Sequence, residues 1–169
     1  MKIFTFLFIL VAFLIQFSFL PMLGWEIMIP NLILISAVAV AIKKTFQDSL
    51  IWLFLAGFLF EIFSVSFWDF YLIIFLLTGS LAWILKNVVL DKRKNILIEI
   101  AFWFLIKLTW DILFKIGLIL KEFFNKDEVA TRLFVFSGNY FQETIVFVLS
   151  GLVATIIWNF IQNFLNEKN

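Results

Sequence analysis

Long apolar runs separated by short polar interruptions divide the chain into six predicted helices. The first, residues 3–20, starts after Lys2 and has the look of a signal peptide, but no small-x-small cleavage site follows, so it is expected to remain as a span. Pro21, Gly24, Trp25 and Glu26 make an interfacial turn. The second run, 27–42, is short, carries Pro30 in its first turn where a missing N–H costs nothing, and ends at Lys43 and Lys44. Runs at 49–65 and 70–86 are joined by a tight connection at 66–69. After a polar loop at 87–95 comes the fifth run, 96–120, then a mixed-charge loop at 121–132 and the sixth run, 139–164. The expectation is one all-α integral membrane domain over 1–169 with six transmembrane helices.

The fifth run is the exceptional one, because Glu99, Lys107, Asp111 and Lys115 interrupt an otherwise apolar sequence. Lys107, Asp111 and Lys115 follow at i, i+4 and i+8, so with Glu99 they occupy one side of the helix. Each Lys or Asp near a bilayer centre costs about 2.5–3.5 kcal/mol, against a return of about 0.3–0.6 for each Leu, Ile or Phe. Such a helix enters a bilayer with its charged side turned into a bundle.

Composition sharpens this picture. The 169 residues are 64% hydrophobic and 20% aromatic, with a mean hydropathy of +1.09, which is a membrane composition. A net charge of +1 gives no attraction to nucleic acid. The absence of Cys and His removes disulfides, thiolate nucleophiles, the usual zinc sites and the commonest proton shuttle. No cofactor or metal is expected. Eight Lys and Arg lie on the side of the termini and of the 43–44 and 86–95 segments, against three on the other side, so both termini are predicted to be cytoplasmic.

Counting about 1.5 Å of depth per residue brings Gln16, Glu61, Lys107, Asp111, Asn139 and Glu143 into one outer slab contributed by four spans, with Lys115 just beyond and Glu99 at the cytoplasmic edge. Two arrangements are open. Glu61, Lys107 and Asp111 could form a buried ion network that fixes which helices meet, or the slab could be an outward-open cavity that receives a partner. Trp25, Trp68 and Trp83 fit an interfacial belt, and Trp103 and Trp110 fit packing. Ala37, Ala39, Ala41 and Gly57 permit close helix approach, within the bundle or between copies of the chain. No nucleophile with a base, no phosphate loop and no metal-ligand motif is present, so no enzymatic activity is expected.

The segment Gly57-Phe58-Leu59-Phe60-Glu61-Ile62-Phe63-Ser64-Val65-Ser66 resembles a glycine, acid and Ser-x-Ser stretch of the rod shape-determining protein MreD family. Pro30-Asn31 before an aliphatic run, and Asp111-Ile112 before aromatic and aliphatic residues, are similar to two further family positions. Glu61 stands where Asp is frequent, a second glycine after Gly57 and one near Trp68 are absent, and Lys107 and Lys115 match no family pattern. The resemblance implies a non-enzymatic subunit of the cell-wall elongation machinery in the bacterial inner membrane. Its partners would be MreC and, through it, MreB, a SEDS glycosyltransferase and a class B penicillin-binding protein. It also implies a bundle similar to the substrate-binding S-components of energy-coupling-factor vitamin transporters. That likeness supplies the alternative function, solute capture. Against it, residues 3–20 offer only Ala12 and Ser18 as small residues for docking a coupling protein.

Overall fold

The computed structural model describes residues 2–20, 31–63, 71–90, 95–125 and 140–166. Among these, six helices are found and no strand. They are α1 (Lys2–Leu14, continued by a π-helical turn, Ile15–Phe19), α2 (Leu32–Ala41), α3 (Phe46–Phe63), α4 (Tyr71–Leu85, continued by a second π-helical stretch, Lys86–Leu90), α5 (Ile96–Asn125) and α6 (Tyr140–Asn166). The predicted turns around Pro21–Glu26 and 66–69, and Asn139, lie outside the described residues. Two loops are shorter than expected: of 87–95, residues 87–90 are π-helical, and of 121–132, residues 121–125 continue α5, the remainder to 132 lying outside the described residues.

Three helical stretches are long and apolar enough to cross a membrane, Phe46–Phe63, Tyr71–Val88 and Tyr140–Leu165, which marks the chain as a membrane protein. α5 has the length, but its charges leave it outside that set.

The helix at the centre is α2, the shortest. It packs against α1, α3, α4 and α6, while α3 meets α4, α4 meets α5 and α5 meets α6. Aromatic contacts complete a ring around it: Phe13 lies 4.7 Å from Phe63 across α1 and α3, and Phe8 lies 5.3 Å from Trp158 across α1 and α6. The cause is in the sequence. α2 reads Leu-Ile-Leu-Ile-Ser-Ala-Val-Ala-Val-Ala, with no polar face to turn outward, and every residue from Ile33 to Ala41 is buried. Its one hydroxyl, Ser36 Oγ, donates to Ile33 O at 2.9 Å. Three alanines keep it thin enough for neighbours on all sides.

Three expectations change here. The second helix was expected from residue 27, but its N-cap is Asn31, so Pro30 precedes the helix instead of sitting in its first turn. Its alanine stripe is enclosed by the chain's own helices and is therefore not a surface for pairing copies. The organising element is this buried helix and not the charged α5.

Two glycines set how closely the ring helices approach. A Cβ on Gly79 of α4 would fall inside the Leu53 side chain of α3, and one on Gly151 of α6 would fall inside the Trp103 indole of α5. Trp103 is 1% exposed and also faces the Phe147 ring at 6.2 Å. Filling such a notch costs about 1–3 kcal/mol through forced displacement. Gly151→Val should therefore lower the thermal midpoint of the detergent-purified protein, and adding Trp103→Leu should restore part of the loss. Thr78 Oγ1, by contrast, is buried with no hydrogen-bond partner among the described residues. Thr78→Val should leave the midpoint unchanged or raise it, because replacing an unsatisfied hydroxyl by a methyl removes a desolvation cost.

Candidate functional site

The polar residues expected to share one slab separate into two structural roles. At the start of α6, a charged cluster joins α5 to α6. Lys107 and Asp111 stand one turn apart on α5, and Lys107 Nζ lies 2.6 Å from Asp111 Oδ1 and 2.8 Å from Oδ2. The two side chains are only 11% and 19% exposed. The same ammonium sits 5.3 Å from the centre of the Tyr140 ring, the first residue of α6. The Tyr140 hydroxyl donates to Asp111, and Glu143 is near enough to act on that hydroxyl. Thr144 Oγ1 donates to the Tyr140 carbonyl at 2.8 Å and ties the residue into the first turn of α6. The ammonium therefore lies between a carboxylate and an aromatic face, and the carboxylate also receives a phenol. Lys115, half-buried, follows one turn farther along α5.

The second role is closing helix ends. The first N–H groups of a helix have no partner within it, and inside an apolar bundle each needs an acceptor. Gln16, in the π-helical turn of α1, is buried and its Oε1 accepts the Ile33 N–H of α2 at 3.0 Å. Asn31 Oδ1 accepts the next donor, Leu34 N–H, at 3.0 Å. Glu61, near the end of α3, accepts the Leu72 N–H of α4 through Oε2 at 3.1 Å, where the positive end of the α4 dipole favours a carboxylate.

Gly57 acts at the same junction, one turn before Glu61. A Cβ there would lie 3.0 Å from Phe75 Cβ and 3.1 Å from Leu72 Cα. The glycine lets the first turn of α4 come close, and the acid four residues later receives the N–H that this approach presents. The spacing between Gly57 and Glu61 is thus explained by one contact.

Of the three residues of the possible ion network, Lys107 and Asp111 pair with each other and Glu61 accepts an N–H of α4. Lys107 is engaged by Asp111 and Tyr140, and the Glu61 carboxylate is directed to the α4 N-terminus. Aromatic rings connect the two places. Phe60, beside Glu61, and Trp110, beside Asp111, are 6.5 Å apart and flank Phe75 at 5.5 and 5.2 Å. Tyr71 lies 4.8 Å from Phe60 and 5.8 Å from Phe114. The interior between α3, α4 and α5 is lined with rings at this level.

The structure thus brings Lys107, Asp111 and Glu143 together and puts Gln16, Gly57 and Glu61 at helix junctions. Asn139 lies outside the described residues. Sequence reasoning missed Tyr140 and the capping role of Asn31. The signal for Tyr140 was its place, next to Asn139 and one turn before Glu143 and Thr144. Among the described residues no group of three His, Cys, Asp or Glu side chains is placed to hold a metal ion. No family model, curated protein or solved structure matches the chain.

Removing one partner of a mostly buried pair leaves the other charge uncompensated, at about 3–5 kcal/mol, whereas replacing both by apolar residues of similar volume is near neutral. Lys107→Met and Asp111→Leu should each lower the thermal midpoint sharply. The double substitution should recover most of the loss, and a double-substitution cycle in detergent measures the coupling.

Proposed function

We propose that this chain is a non-enzymatic membrane scaffold of the MreD type, working in the cell-wall elongation machinery of a bacterial inner membrane. The observation that supports this best is the Gly57–Glu61 junction. The most specific stretch of the resemblance has a definite mechanical task, holding α4 against α3 through the Leu72 contact and N–H. Six crossings with cytoplasmic termini, in a bundle similar to S-components, belong to this proposal. So does the partner, MreC, through which the chain would reach MreB, the SEDS glycosyltransferase and the class B penicillin-binding protein. The cluster of Lys107, Asp111 and Tyr140 at the α5–α6 end is the part that receives the partner. It carries opposite charges and a phenol in a largely apolar setting, where an exchange of hydrogen bonds is strong enough to report occupancy. The mechanism is assembly that depends on that occupancy, with no turnover.

The test is co-purification from detergent with the MreC encoded in the same genome. Wild type should retain it, Asp111→Ala should retain much less, and Glu61→Ala should lose it in proportion to the loosening of the α3–α4 junction. Wild type that retains no MreC would overturn the proposal. A vitamin-sized molecule recovered from such a preparation by mass spectrometry would assign the solute-binding alternative instead.

A further inference from the structure

Away from the cluster, the turn between α2 and α3 and the far end of α4 form a tightly built corner. Lys43 and Lys44 donate their backbone N–H groups to Val40 O at 3.1 Å and Ala41 O at 3.2 Å. Ser49 Oγ contacts the carbonyls of Ala41 at 2.8 Å and Thr45 at 2.7 Å, which closes the end of α2 against the start of α3. Thr45 Oγ1 donates to Asp48 Oδ2 at 3.1 Å and lies 3.4 Å from the Asp48 backbone nitrogen, a reciprocal cap on α3.

Trp83 ties this turn to α4. Its indole N–H donates to Lys44 O at 3.2 Å, and its ring lies 5.1 Å from that of Phe46. Lys86 follows Trp83 by three residues, about one turn farther on the same side. The bond to Lys44 therefore places Lys43, Lys44 and Lys86 at one corner. Asp48 is also at this corner, and its carboxylate accepts from the Thr45 hydroxyl.

Beside this turn is an exposed ring: Phe46, packed against Trp83, is 39% exposed. Trp83, its N–H spent on the backbone, suits the interfacial place of tryptophans, and the lysine stems can extend toward the headgroups. Cations beside exposed aromatic surface match a molecule with a phosphate at one end and acyl chains at the other.

We propose that this corner is a binding site for an anionic phospholipid, with Lys43, Lys44 and Lys86 around the phosphate and Phe46 and Trp83 along the chains. Clustered lysines at a membrane face attract anionic lipid electrostatically, and the pinned turn adds a fixed geometry to that attraction. The site depends on the helices crossing a membrane and not on the scaffold role, so the two proposals fail separately.

The experiment follows thermal unfolding of the full chain in neutral detergent with added phosphatidylglycerol, phosphatidylcholine of the same acyl chains, or inorganic phosphate. Native mass spectrometry counts the lipid retained. Phosphatidylglycerol should raise the midpoint and remain bound, and the other two should do neither. Lys43→Gln with Lys44→Gln and Lys86→Gln should abolish the rise and cut retained phosphatidylglycerol several-fold. The matching Lys→Arg set should keep both, which separates loss of charge from loss of fold. Lys121→Gln with Lys126→Gln and Arg132→Gln, a set matched in charge from another part of the sequence, should change nothing. An equal response to phosphatidylcholine, a response to inorganic phosphate alone, a rise that survives the glutamine set, or an equal loss in the charge-matched set would each overturn the site.

Discussion

α2, ten residues long, is buried from Ile33 to Ala41, so its first N–H groups must find acceptors inside the protein. That constraint governs the bundle. Gln16 and Asn31 supply acceptors at one end of α2, and Ser49 receives the other end at Ala41. Each bond is worth little where water competes, but a buried amide left without a partner costs about 1–3 kcal/mol. The π-helical turn of α1 is where the Gln16 bond is made, consistent with the tendency of such turns to occur where a helix has a special task.

Apolar surface gives little drive for helices to associate in lipid, since acyl chains are as apolar as leucine, and close packing has to supply it. The chain meets this requirement by pairing notches with large side chains. Gly79 receives Leu53, Gly151 receives Trp103, and Gly57 receives the backbone of α4. Aromatic rings fill the wider spaces between α1, α3, α4 and α5. Phe13, Phe17, Phe60, Phe75 and Phe114 are among the rings with this packing role.

Much of this was legible in advance, and the failures have physical causes. Apolar runs gave the helices to within a few residues, because a polar residue at a run's edge is a strong boundary. The start of α2 was misplaced since residues 27–30 are as apolar as the helix itself, apart from the proline. Its central position was hidden because a helix without a polar face looks weaker in sequence than one with charges, although that lack is what puts it inside. Depth counting placed Gln16, Glu61 and Asp111 at one level, but rise gives height and not direction around the bundle. Gln16 faces α2, Glu61 faces α4 and Asp111 faces α6. The Lys107–Asp111 pair was readable because both members share one helix.

The seat of Trp103 at Gly151 has a consequence for biogenesis. Both that notch and Tyr140 lie downstream of α5 in the chain, so when α5 leaves the ribosome neither its indole nor its ion pair has a place to go. The seat of Trp103 arrives 48 residues after it, at Gly151, and the partner of Asp111 arrives 29 residues after it, at Tyr140. The packing of α5 is therefore finished only once α6 has been made and has docked against it.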